Sequence, residues 1–267
     1  MFLNNSSIYT RAGTNLESQT LNSETRQRSA KTHCIYGIPN DASGRRILSI
    51  HPFARSHVYD LRNYTRQSRW GPFRDDGSMR VNWELMESIM IVLGYNNGLC
   101  HRRYMDRFTL PWSAPFANIF HDRFASFSST ESNHIRPDLT GKPSLPLSLR
   151  DPYNISGVWA RVVCFLDYDD LHHFNFNTVA ARTPKEHPHP PITMEEAIRH
   201  ILMRLTVTAI TPPGKNDNPS MPVVHFSGKA RAVDTNMDAN ANSSIRGCVR
   251  MTTEGEVRWS TVWVFNG

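Results

Sequence analysis

The run Glu254-Gly255-Glu256-Val257-Arg258-Trp259-Ser260-Thr261-Val262-Trp263-Val264-Phe265-Asn266-Gly267 constrains the fold more than any other stretch of the chain. Val257, Trp259, Thr261, Trp263 and Phe265 share one parity, and Arg258, Ser260, Val262 and Val264 the other. Period-two patterning over β-branched and aromatic residues marks a half-buried strand. Trp259, Trp263 and Phe265 are therefore expected to face an interior, and Arg258 and Ser260 to face solvent. A strand needs partners for its backbone groups, so the final third of the chain is committed to a sheet.

Candidate partners precede it. Gly157–Tyr168, Leu205–Ile210, Pro222–Phe226 and Gly247–Met251 all read as strands. Thr252-Thr253-Glu254-Gly255 suits the turn of a hairpin joining the last two. One helix is expected between them: Thr193-Met194-Glu195-Glu196 has the form of a capping box, followed by Ala197, Ile198, Ile201 and Leu202 on one helical face. Antiparallel strands at this spacing predict a barrel-like or strongly curled sheet. The final strand is expected either as an exposed edge or paired on one side only, open to pairing with a second copy through Val262, Val264 and Phe265.

The first half has a different grammar. Residues 1–32, rich in Ser, Thr, Asn and Gln, predict a disordered or loosely helical lead-in, with the ordered part starting at His33. Ser56–Arg62 is a short helix or strand, and Trp70–Gly77 a turn set by Gly-Pro and Asp-Gly. Asn82 is a candidate N-cap for a helix whose Trp83, Met86, Ile89, Met90 and Leu93 recur at helical spacing, with Gly94 or Gly98 as its end. That apolar face is expected to pack on its own domain. Residues 105–156 are loop-heavy, with prolines interleaved with Phe108, Trp112, Phe116, Phe120, Phe124 and Phe127. The expected class is α+β: a lead-in over 1–32, a helical, loop-rich region over 33–145, and an antiparallel β domain over 146–267.

Charge matters to partners. Thirty basic against twenty-four acidic residues leave a net +6. The basic residues form no dense run, only pairs such as Arg45-Arg46 and Arg102-Arg103, so a solvated basic surface is expected rather than a nucleic-acid footprint. Cys34, Cys100, Cys164 and Cys248 form no CxxC pair, which argues against a compact zinc site or a disulfide scaffold. The first residues carry no secretory signal, and no apolar run is long enough to span a bilayer. A reducing cytoplasmic or nuclear location is the default, with no membrane partner.

Chemistry-bearing motifs are sparse. His187-Pro188-His189 and His172-His173 are the densest histidine pairs, without a third ligand at metal spacing. His200 follows Glu196 by four residues, yet not in HExxH order. Asp167, Asp169 and Asp170 lack the spacing and glycine of an EF-hand. GxSxG, P-loop and GxGxxG motifs do not occur. Arg231 and Arg246 flank a polar loop from Asp234 to Ser244 that reads as an ordinary long connection. The expectation is no catalytic residue, no cofactor and no metal.

Three blocks resemble the long fungal F-box proteins. The first is Ala54-Arg55-Ser56-His57-Val58-Tyr59-Asp60-Leu61-Arg62-Asn63-Tyr64-Thr65 with Trp70–Gly77 and Val81-Asn82-Trp83-Glu84. The second is Leu149-Arg150-Asp151-Pro152-Tyr153 with Val162–Tyr168. The third is Pro222-Val223-Val224-His225-Phe226-Ser227-Gly228 with Ala239–Ser243 and Arg246–Phe265. The resemblance spans residues 33–267 and implies the substrate-receptor region of a Skp–cullin–F-box ubiquitin ligase, which binds a protein to be ubiquitylated and performs no covalent step. It departs from the family at both ends. The Leu-Pro opening and helices of an F-box are not found, so the Skp adaptor is expected to bind only through an F-box outside this chain, and the β domain is expected to be incomplete. The alternatives are a small-molecule-binding β-barrel and a weak basic nucleic-acid binder.

Overall fold

A computed structural model describes residues 23–36, 45–103, 146–177, 182–184, 189–192, 194–232 and 242–265. The helices are α1 (Ser23–Tyr36), α2 (Arg45–Tyr59), α3 (Trp83–Arg103) and α4 (Tyr168–Phe176). The strands are β1 (Gly157–Phe165), β2 (Ala197–Thr211), β3 (Val223–Ala232), β4 (Asn242–Met251) and β5 (Val257–Phe265). The class is α+β, with the helices mostly N-terminal and a curled antiparallel sheet in the C-terminal part. The described residues of 1–117 and 164–198 form one compact unit, and those of 118–163 and 199–267 a second.

The first unit begins before His33. Helix α1 occupies Ser23–Tyr36, so its first ten residues lie within the expected lead-in. Its buried stripe is Gln27, Ala30, His33 and Cys34, at helical spacing but mostly polar, which hides it from a search for apolar periodicity. Gln27 donates from Nε2 to Asn82 Oδ1 and Glu84 Oε2, each at 3.0 Å, and accepts from the Trp83 backbone N–H at 2.7 Å. Helix α1 thereby helps cap α3, while Asn82 accepts the Leu85 N–H at 3.3 Å as expected of an N-cap. Buried His33 and Glu87 pair through Nδ1 and Oε1.

Helix α3 passes through Gly94 and Gly98 to Arg103. Its buried side carries Leu85, Ser88, Ile91, Val92 and Asn96, roughly opposite the expected apolar face. Trp83, Met86, Ile89, Met90 and Leu93 are half-buried. Both α1 and α2 pack on α3, and Ala54, Ile91 and Val92 form a small core with Phe53 and Val58. Ser56–Tyr59 belongs to α2, and Leu61–Asn63 is a short 3-10 turn capped by Asp60.

The expected helix after residue 193 is replaced by β2, which starts at Ala197; Thr193 lies outside the described residues. Glu196 is a buried anchor instead of a cap. It accepts from the Tyr59 hydroxyl and from Asn96 Nδ2 at 2.8 Å, with Arg55 Nε 3.4 Å away. Arg55 also donates to the carbonyls of Ile192 and Met194. These bonds hold the segment extended, and Ile198, Ile201, Thr206, Val207, Thr208 and Ile210 favour a strand beyond it. The strand expected to reach Tyr168 stops at Phe165, because Asp167 caps α4 by accepting the Asp169 N–H at 3.0 Å. Leu166, Phe174 and Ile192 then form a core with Tyr59, Leu171 and Met194. This packing is why residues 164–198 belong with the helices.

The second unit is a sequential meander, β1-β2-β3-β4-β5. Strands β2 to β5 pair antiparallel, with one irregularity between Val207 and Ala209. Ile155, Leu205, Val207, Val224, Phe226, Ile245 and Val249 form its core, with Trp159 and Trp263 packed against them. The curl is visible in side chains from the two outer strands. The Trp159 and Trp259 rings meet edge-on at 5.3 Å, and the Arg161 guanidinium lies 4.5 Å above the Trp263 ring. Two glycines permit it. A Cβ on Gly228 would stand 2.2 Å from the Arg204 carbonyl oxygen, and one on Gly247 2.0 Å from that of Ser260. The segment before β1 plugs the core: Asp151 accepts from the Tyr153 and Ile155 N–H groups at 2.9 and 2.5 Å, and Ile155 is fully buried.

The β4–β5 hairpin closes over Thr252–Gly255 as expected, with Gly255 at φ +81° and Thr252 N–H donating to Glu256 O at 2.8 Å. Val257 and Trp263 pack on the core. Trp259 contacts Phe226 at 5.3 Å but remains 40% exposed, so its burial is only partial. Arg258 is partly covered and lies 3.4 Å from Glu256. The Phe265 side chain lies outside the described residues, as do residues 104–145 with the six interleaved aromatics. Among the described residues β5 pairs only with β4.

Candidate functional site

The parity that sends Val224, Phe226 and Ala230 inward sends His225, Ser227, Lys229 and Arg231 outward from β3. The same rule places Arg204, Thr206 and Thr208 on the outer face of β2, Ser244 and Arg246 on that of β4, and Ser260, Val262 and Val264 on that of β5. Arg204, Lys229, Arg231 and Arg246 are all exposed. Cross-strand register sets Arg204 directly opposite Lys229, and Arg246 opposite Ser227. Directly opposed side chains start about 5 Å apart at Cβ, and like charges so placed are destabilising.

A second like-charged pair shows how the sheet handles this problem elsewhere. Arg250 and Arg258 are also directly opposed. Each has a counter-ion: Asp217 lies 3.8 Å from Arg250, and Glu256 lies 3.4 Å from Arg258. Cys248 Sγ accepts from Arg250 Nη2 at 3.3 Å, and this bond, ahead of the Asp217 charge, raises the arginine pKa. Among the described residues no carboxylate pairs with Arg204, Lys229, Arg231 or Arg246. Instead the hydroxyls of Thr206, Ser227 and Ser244 surround them. Two open depressions, of about 550 and 610 Å³, share Arg204, Lys229 and Ser244. A third, of about 570 Å³, continues past Arg246 to His225 and Ser260. Val262 and Val264, 51% and 48% exposed, border the cations opposite Arg246 and Ser244.

This face can hold an anion by charge-assisted hydrogen bonds. His225 Nε2 lies 3.1 Å from Thr211 Oγ1, but that hydroxyl is also 3.5 Å from the Val223 carbonyl oxygen, and among the described residues no carboxylate orients the imidazole. The pair is a strand-to-strand bridge.

Residues singled out by sequence lie elsewhere. His172 and His173 are exposed on α4, and Asp169 and Asp170 occupy its first turn. His189 is buried beside Phe174, 3.6 Å from Asp60; burial lowers its pKa despite that charge. His187 lies outside the described residues, and His200 is buried in β2. Among the described residues no three His, Cys, Asp or Glu side chains stand close enough to share a metal. Of the loop flanked by Arg231 and Arg246, residues 233–241 lie outside the described set, yet both flanking arginines join the basic face. The available signal is Ser227-Gly228-Lys229-Ala230-Arg231-Ala232, where small and polar or basic residues alternate. Among the described residues no helix is long and apolar enough to cross a membrane. Comparison with family models, curated proteins and solved structures finds no match to this chain.

Proposed function

We propose that this chain is a non-enzymatic protein-binding module of the substrate-recruiting kind found in Skp–cullin–F-box ubiquitin ligase receptors, and that its receptor surface is the exposed face of the sheet. The observation that carries the reading is the directly opposed Arg204–Lys229 pair, which has no carboxylate partner among the described residues although the Arg250–Arg258 pair on the same face has two. Fixed cations, rotatable hydroxyls and a bordering apolar strip favour holding a partner over reacting with one. The inward side chains of the sheet pack on one another as a core, which disfavours a ligand-holding barrel. The ubiquitin-ligase context rests on the sequence resemblance alone.

The test is selection of peptides from a random displayed library on the immobilised 267-residue chain. Enriched peptides should lose binding when Arg246→Glu is introduced. Enrichment no better than on blank support, or binding indifferent to Arg246→Glu, would overturn the reading.

A further inference from the structure

This inference rests on reading the exposed sheet face as a protein-binding surface and names what occupies it. We infer that the occupant is an extended acidic segment of a partner protein, with Asp or Glu at alternate positions and an apolar residue beside them.

Lys229 and Arg231 are two residues apart on one strand and face the same way. Alternate side chains of any extended chain recur about every 6.8 Å. Carboxylates at alternate positions of a bound segment therefore match that interval. A carboxylate seated between Arg204 and Lys229 converts a repulsive pair into two attractive ones, and its second oxygen remains open to the Ser244 hydroxyl, directly opposite Lys229. Arg246, one row further along and one strand over, takes the next acid.

Val262 and Val264 lie in the same cross-strand rows as Arg246 and Ser244 and are about half exposed. Their apolar strip suits an apolar side chain adjoining the carboxylates and contributes nothing to a phosphodiester backbone. A single-stranded polynucleotide would use aromatic side chains as stacking platforms. The sheet aromatics Trp159, Phe226 and Trp263 pack in or against the core on the opposite face. The cations span only three adjacent strands, about 10 Å, a short track for a polyanion.

The experiment titrates the full chain against a fluorescein-labelled eight-residue peptide with glutamate at alternate positions and valine or serine between them. Two further probes are the same peptide with glutamine for each glutamate and a 20-nucleotide single-stranded DNA. A charge-assisted contact is worth about 1.5–3 kcal/mol, so losing one weakens binding by about tenfold or more. The acidic peptide should bind at least tenfold tighter than the glutamine peptide and tighter than the DNA at equal salt. The double variant Arg204→Gln/Lys229→Gln should weaken it at least tenfold with no fall in the melting midpoint, since relieving the opposed charges can only raise it, and exposed Lys215→Gln should leave binding unchanged. Equal binding of both peptides, or tighter binding of the DNA, overturns the inference. If library-selected peptides of neutral composition still require Arg246, the protein-binding reading survives that failure. If peptides of every composition fail to bind, both fall.

Discussion

Gly247→Ala perturbs the sheet at its tightest glycine contact. A Cβ there would lie 2.0 Å from the Ser260 carbonyl oxygen and 3.0 Å from Phe226 Cζ. Ordinary carbon–oxygen contacts between strands are about 3.3–3.6 Å, so β4 and β5 must separate locally by more than an ångström. Overpacking of this kind costs about 1–3 kcal/mol, and each weakened ladder bond adds about 0.5–1.5. Replacing glycine returns about 0.4–1 kcal/mol through the unfolded chain, leaving a net loss of about 2–3 kcal/mol. Gly94→Ala is the matched contrast: that glycine lies inside α3 with no heavy atom within 4 Å of a new Cβ, so alanine should stabilise by about 0.5–1 kcal/mol. Urea unfolding followed by tryptophan fluorescence reads the sheet through Trp159, Trp259 and Trp263 and the helical unit through Trp70 and Trp83. An unchanged midpoint for Gly247→Ala would mean that the strands do not approach closely there and that glycine is not required at this position.

Acid should destabilise the helical unit. Burial, and secondarily the Arg55 charge, lowers the pKa of His51 from 6.5 to about 4; its ring stacks on Tyr95 at 3.8 Å. The unfolded chain takes up this proton first, so up to roughly 3 kcal/mol is lost as pH falls from 6.5 to 4. His57 and His189, also lowered by burial, act in the same direction. Thermal melts of His51→Phe across that window should show a shallower pH dependence, and an unchanged slope would contradict the assignment. Glu196→Ala strips Arg55, Tyr59 and Asn96 of their shared acceptor and should cost about 3–5 kcal/mol, visible as a lower denaturation midpoint. Phe226→Ala should cost about 3–5 kcal/mol by urea melt, whereas exposed Val262→Thr should stay within about 0.5; equal effects would reverse the two faces of the sheet.

The sheet is legible in the sequence because its alternation is written in β-branched and aromatic residues, most clearly in Val257–Phe265. The helices are less so, because their buried positions are partly polar. Gln27 on α1 bonds Asn82 and Glu84, His33 pairs with Glu87, and on α3 Ser88 meets His57 of α2 while Asn96 donates to Glu196, so a search for apolar periodicity passes over these buried positions. On α3 it selects the half-buried side instead. The capping-box pattern before β2 fails for a tertiary reason: Glu196 is claimed by Tyr59, Asn96 and Arg55, far from it in sequence. The basic face escapes notice because its four cations come from three strands and meet only through register.

Photo-cross-linking locates the bound partner on the chain. A glutamate-containing peptide carrying a benzophenone at an apolar position is bound to the full chain, irradiated, and its attachment sites are read by mass spectrometry. Cross-links are expected on the outer face of the sheet, at Ser227, Lys229, Arg246 and Val262, competed away by unlabelled acidic peptide. Competable cross-links confined to α1, α2 or α3 would contradict this placement.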